Sequence, residues 1–179
     1  FEAALIVAQL DKLDSFVARK RDVAGRYAEL FADIPDVAMM PEASWAESSC
    51  WMSILSLNPE IYTSGAEPII RDLVAQQIGA RPAWIPLGDL PPHKQARRMN
   101  GEGARRFLNT TICLPCSTGI TNEEVEAVAA ATRALLEARE AANQPTDVQG
   151  LPKPGSLPRH LQHHGTGSNH RFSTNSHPA

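Results

Sequence analysis

Thr111-Ile112-Cys113-Leu114-Pro115-Cys116-Ser117-Thr118-Gly119-Ile120-Thr121-Asn122-Glu123-Glu124-Val125 is the stretch whose reading decides the fold. Thr111 to Leu114 is a short β-branched, apolar run, which predicts a strand ended by Pro115. The turn residues Ser117, Thr118 and Gly119 follow. Thr121 and Glu124 then form a capping box, in which the threonine hydroxyl accepts from the Glu124 N–H and the glutamate reaches back to the Thr121 N–H. Val125, Val128, Ala129, Thr132, Leu135 and Leu136 recur at helical spacing behind it. A strand that feeds a capped amphipathic helix implies a sheet covered by helices, the α+β class.

The upstream sequence supplies the other elements of that layer. Residues 2–33 read as one long N-terminal helix, with Ile6, Leu10, Leu13, Val17, Ala24, Tyr27 and Phe31 as its apolar stripe and one gap of seven residues. Asp11, Lys12, Asp14, Arg19, Arg21 and Asp22 fall on the wet face, with Lys20 among the charges, and Pro35 stops the helix. Residues 36–40 predict a short strand. Trp51 to Leu57 alternates with period two and predicts another, buried on both faces. Residues 67–78 predict a helix with Pro68 in its first turn. Residues 81–85 predict a strand, 87–100 an irregular segment, and 103–109 a short helix.

Composition bounds the rest. The chain has 179 residues, 42% of them apolar, enough for one packed domain. The expected folded part is 1–142. From Asn143 to Ala179 proline, histidine, glycine and serine dominate and apolar periodicity is lost, which predicts a disordered low-complexity tail. That tail holds Lys153, Arg159 and Arg171 against Asp147, a net +2. The whole chain carries −3, so the remainder carries −5. Such a balance argues against nucleic acid as a partner. No apolar run approaches the ~18 residues of a membrane span. The three cysteines, Cys50, Cys113 and Cys116, are too few for a disulfide scaffold and suit a reducing, cytoplasmic compartment. The chain opens without methionine, directly in helical sequence, and reads as cut from a larger protein.

No complete catalytic set is visible. Cys113-Leu114-Pro115-Cys116 lacks the further ligands of a zinc site and the immediate helix of a redox motif, so it reads as strand-to-loop structure. His160, His163, His164, His170 and His177 lie in the tail, without a framework to fix metal geometry. Asn100-Gly101-Glu102-Gly103 lacks a phosphate-loop lysine and reads as a turn. Arg81-Pro82-Ala83-Trp84 is more suggestive. A guanidinium beside a rigid proline, followed by an indole, can hold a phosphate or carboxylate while the ring stacks on a base or sugar. The other reading is an ordinary surface arginine and a core tryptophan.

In order and spacing the pieces resemble the C-terminal small domain of the DegT/DnrJ family, the pyridoxal-phosphate-dependent, fold-type I nucleotide-sugar aminotransferases. Phe1-Glu2-Ala3-Ala4-Leu5-Ile6-Val7-Ala8-Gln9-Leu10-Asp11-Lys12-Leu13-Asp14 is similar to the family's N-A-A-L-G-x-A-Q-L-E-x-L-D. Ser49-Cys50-Trp51-Met52 stands where the family has N-(H/Y)-W-L. Ile78-Gly79-Ala80-Arg81-Pro82-Ala83-Trp84 resembles G-I-x-T-R-P-x-W, and Leu114 to Glu124 resembles L-P-S-S-x-G-L-T-x-E-E. The departures are Ile6 and Gln77 at two family glycines, Ser49 at the asparagine, and Gly88 at the histidine that follows P-(L/M).

The resemblance implies an amino transfer from an amino acid such as glutamate to a keto-sugar nucleotide, in amino-sugar and surface-polysaccharide biosynthesis. It implies substrate contacts from Arg81, Trp84 and Trp51, and a homodimer. It places the Schiff-base lysine and most pyridoxal phosphate contacts in a large domain expected before Phe1. No catalytic, cofactor-binding or metal residue is expected in this chain, and the chain alone is expected to be inactive. A non-catalytic remnant of truncated or pseudogene origin, or a protein-association domain, is the alternative from another class.

Overall fold

The computed structural model of the chain describes residues 1–97 and 99–143. The residues form helices α1 (Glu2–Leu10), α2 (Leu13–Phe31), α3 (Glu67–Ala75), α4 (Glu102–Thr110) and α5 (Asn122–Asn143). Strands β1 (Val37–Met39), β2 (Ser53–Leu57), β3 (Arg81–Pro82) and β4 (Thr111–Leu114) make one antiparallel sheet in the order β1-β2-β4-β3. The rest of the expected tail, 144–179, with its five histidines and Lys153, lies outside the described residues.

The strand at 111–114 and the capping box appear as read from the sequence. The Thr121 N–H donates to Glu124 Oε2 at 2.8 Å and the Glu124 N–H donates to Thr121 Oγ1 at 3.1 Å. Ser53 pairs with Leu114 and Leu55 with Ile112 across the sheet centre. Side chains directly opposite share a face. Leu55, Leu57, Ile112 and Leu114 therefore point together into the core, where they meet Val23, Tyr27 and Phe31 of α2, Ile69 and Leu73 of α3, and Val125 and Leu136 of α5. Each fully buried Leu or Ile contributes about 1.5–3 kcal/mol. Ile54 and Cys113, also paired, are buried on the opposite face, so the expectation of a strand covered on both sides holds. Ion pairs at the edges join the helices: Arg133 is bidentate on Asp33 (2.5 and 2.7 Å), and Arg139 reaches Asp72 at 2.5 Å.

Three expectations need correction. The long first helix is broken at Asp11-Lys12. There the Lys12 N–H bonds back three residues to the Gln9 carbonyl (3.1 Å), and the helical ladder restarts with Phe16 N–H on the Lys12 carbonyl (3.1 Å). Residues 2–15 are all exposed and the first core residue of α2 is Val23, so no buried contact among the described residues holds α1 coaxial with α2; Ile6, Leu10 and Leu13 are exposed. Of the expected stripe Tyr27 and Phe31 are buried as read, while Ala24 is only half-buried and Val23 takes its place in the core. The helix at 67–78 stops at Ala75, because Gln77 turns to a φ of 63°. The strand at 81–85 keeps only Arg81 and Pro82, which pair with Cys113 and Ile112. The irregular segment beyond it contains 3-10 turns at Leu87–Asp89 and Pro91–His93. No helix among the described residues is long and apolar enough to cross a membrane.

Candidate functional site

The site is anchored by α2. Lys20 belongs to the half-buried side of that helix, not to its wet face. Its ammonium donates to the Trp51 carbonyl at 3.1 Å and to the Cys116 carbonyl, and lies 3.6 Å from Cys116 Sγ. Two turns further on, the buried Tyr27 hydroxyl donates to the Pro115 carbonyl at 2.9 Å. Burial raises the Tyr27 pKa well above its ordinary value, so the hydroxyl stays a donor. Lys20 and Tyr27 thus tie the start of β2 and the loop after β4 to one helix. The gap of seven in the apolar stripe was the signal for this: Lys20 sits in it, on the face that packs.

The tie fixes Trp51 beside Trp84. The two indoles stack with centroids 5.6 Å apart and planes 25° from parallel. They come from segments 33 residues apart in sequence, one before β2 and one after β3. Trp51 remains 65% exposed and Trp84 59% exposed, so Trp84 is not the core tryptophan of the alternative reading. Stacked indoles that keep most of their area in water present a flat apolar platform with N–H edges, a surface suited to a ring-shaped ligand.

Arg81 is exposed in β3, opposite Cys113 in register. Because Cys113 lies opposite Ile54, the register places Arg81 on the sheet face away from the core of helices. It makes no hydrogen bond, ion pair or ring contact with another described residue, and its charge is felt at Cys113. Burial pushes that thiol's pKa up, while the guanidinium pulls it down and Cys116 raises it further. The structure therefore brings Trp51 and Trp84 into contact and leaves Arg81 three residues from Trp84, available but outside the stack.

All three cysteines are free thiols, with Cys113 buried in β4 and Cys50 and Cys116 half-buried. No group of three or more His, Cys, Asp or Glu residues that could hold a metal exists among the described residues. Three lysines lie among the described residues. Lys20 is committed to two main-chain carbonyls, Lys12 is exposed at the N-cap of α2, and Lys94 is exposed after the second 3-10 turn. A nucleophilic lysine is set in an apolar or cationic pocket, whereas Lys12 and Lys94 stand in solvent.

A helix-backed antiparallel sheet carrying an exposed aromatic platform defines an α+β domain. The chain belongs to the DegT/DnrJ/EryC1/StrS aminotransferase family, whose model matches residues 1–133. It is 30% identical over 128 residues to EpsN of Bacillus subtilis, covering 68% of this chain and 32% of that protein. It is 31% identical over 133 residues to the dTDP-4-dehydro-2,3,6-trideoxy-D-glucose 4-aminotransferase of Saccharopolyspora spinosa, covering 71% and 32%. Among solved structures it is similar to S. venezuelae DesV in complex with a ketimine intermediate, with a TM-score of 0.67 at 19% identity, over 75% of this chain and 36% of that one, and to the aminotransferase TlmJ of Streptoalloteichus hindustanus, with a TM-score of 0.64 at 23% identity, over 74% and 35%. The α+β layer expected from the sequence is thus the one these aminotransferase structures share. The chain spans about a third of the length of the curated relatives it matches.

Proposed function

We propose that this chain is the substrate-facing portion of a pyridoxal-phosphate-dependent aminotransferase that moves an amino group from an amino acid such as glutamate to a keto-sugar nucleotide, as a cytoplasmic homodimer. The stacked, exposed Trp51–Trp84 pair carries the reading. A nucleotide sugar offers flat rings and acceptor oxygens. The indoles take a ring by stacking, and the Arg81 fork takes an oxygen with a charge-assisted hydrogen bond. The relatives' names support this, since they include a dTDP-sugar aminotransferase and a GDP-perosamine synthase of Caulobacter vibrioides. On this reading pyridoxal phosphate is held mainly by other parts of the enzyme, and this chain's part is to bind and orient the acceptor. The exposed apolar residues of α1 and its approach to α2, among them Leu5, Ile6, Val7 and Leu10, suit burial against further protein.

The test titrates a dTDP-linked keto sugar against the indole fluorescence of the chain. Arg81→Ala should weaken binding about five- to tenfold, the loss of one charge-assisted hydrogen bond, and leave the melting temperature unchanged. Lost stability with unchanged binding would show Arg81 to be structural. Incubated with pyridoxal phosphate and glutamate, the chain alone should show no amino transfer and no site-specific adduct after borohydride reduction. A stoichiometric adduct with turnover would overturn the assignment. The absence of a catalytic set among the described residues, with Gly88 where the family has histidine, favours a second reading, a non-catalytic remnant or an association domain. Upstream coding sequence decides between them: an in-frame large domain with a suitable lysine supports the enzyme.

A further inference from the structure

A pocket of about 290 Å³ opens beside the 3-10 turns at Leu87–Asp89 and Pro91–His93 and the start of α4. It begins at Pro86, two residues beyond Trp84, and its polar lining is Asp89, His93, Arg97 and Arg105. Two residues of extended chain span at most ~7 Å, so the pocket adjoins the indole platform. Its volume is at the low end for small-ligand sites, about 300–1,000 Å³, and suits a fragment of a ligand better than a whole nucleotide sugar.

The electrostatics of this corner oppose those of the rest of the domain. The chain up to Asn143 carries −5, yet residues 93–106 hold Lys94, Arg97, Arg98, Arg105 and Arg106 against Glu102. Asp89 is bidentate with Arg105 (3.0 and 2.8 Å), which neutralises that acid and fixes the guanidinium at the wall. Arg97 is exposed and has no hydrogen bond or ion pair with another described residue. Gly101 starts α4 without a side-chain cap, so the first-turn N–H groups of the helix at the pocket edge lack that partner; Glu102 is the acid in that turn.

We propose that this pocket binds the phosphates of the substrate: a diphosphate held by Arg97, the Asp89-fixed Arg105 and His93, while the attached ring rests on Trp51 and Trp84. The inference rests on the nucleotide-sugar reading and adds where the phosphate charge goes. It assigns Arg81 to a different oxygen of the ligand.

The test uses the full chain and two separate probes. Inorganic pyrophosphate is titrated by calorimetry, and thymidine, which carries no phosphate, by indole fluorescence. Pyrophosphate should bind, more weakly as salt is raised, and Arg97→Ala should weaken it about tenfold. Arg81→Ala, and Arg71→Ala on the exposed side of α3, should change it less than twofold. Thymidine quenching should be the same in Arg97→Ala and wild type. Failure of pyrophosphate to bind, an unchanged affinity in Arg97→Ala, or an equal loss in Arg71→Ala or Arg81→Ala would overturn the phosphate pocket. A silent thymidine titration would instead count against the indole platform, so the two failures are distinct. Arg97 is exposed and unpaired among the described residues, so a circular-dichroism melt of Arg97→Ala should match wild type.

Discussion

Gln77 is a glycine site occupied by a side chain, and Gln77→Gly should stabilise the domain. Helix α3 ends at Ala75 with Gln76 as its C-cap, and Gln77 follows at φ 63°. The Ile78 N–H donates to the Leu73 carbonyl at 3.0 Å and the Gln77 N–H to the Val74 carbonyl at 2.9 Å. Those two bonds are the paired closure in which the residue at position 77 must be left-handed, normally a glycine. Ile78 packs against the core that holds Leu73, which accompanies the same motif. An L-residue in that conformation costs about 1–2 kcal/mol. Glycine removes the cost but gives the unfolded chain more freedom, worth about 0.5–1 kcal/mol in the opposite direction. The net gain is about 0.5–1 kcal/mol, and a domain of this size should melt about 2–4 °C higher. Gln77 is exposed and neither backbone bond needs its side chain, so no packing is lost. Thermal and urea melts followed by circular dichroism measure the effect, with Gln77→Val as the opposite control, since β-branching makes this conformation worse. A melting temperature that stays level or falls in Gln77→Gly would refute the strain argument, as would a neutral Gln77→Val.

Gly65 is the converse case. Its φ is 72° and a Cβ there would lie 2.8 Å from the Asn109 main-chain oxygen, which already accepts the Ala66 N–H. Gly65→Ala should cost more than the ~1–2 kcal/mol of the conformation alone, read as a lower denaturation midpoint. Thr121→Ala removes one arm of the capping box and should cost about 1 kcal/mol, while Thr121→Ser should restore most of it in the same melt. Hydrogen bonds from Arg133 and Arg139 hold the Asp33 and Asp72 carboxyls below the ordinary aspartate value of 3.8. A depressed folded pKa gives stability that is present above that value and lost as pH falls through the folded one. Melting temperature should therefore drop on acidification below about pH 4, and the drop should shrink when both residues are changed to Asn.

Local chemistry explains what was legible. The strand at 111–114, the capping box and the proline start of α3 depend on residues within a few positions of one another, and each appears as read, while the end of α3 does not. The stripe of α2 was legible at Tyr27 and Phe31, which are buried as read, but not at Val23, because a helix shows its apolar face without showing how wide a strip of it the sheet covers. The break at Asp11-Lys12 was not legible: the apolar spacing continues through it, and only the absence of packing partners for α1 separates the two helices. Lys20 was placed on the wet face because lysine usually belongs there. Its true position follows from two carbonyls that arrive from residues 51 and 116.

The sequence by itself determined the α+β class, the element order, the family and the names of three candidate ligand contacts, because helix and strand periods, caps and short motifs are local properties of the chain. Tertiary structure decided the strand order β1-β2-β4-β3, the stacking of Trp51 on Trp84, the separation of Arg81 from that stack, and the pocket behind Trp84. The strand order and the indole stack depend on which segments far apart in sequence share the core. That choice is made by the summed burial of Leu55, Ile112, Tyr27 and their neighbours, and no window of adjacent residues contains it.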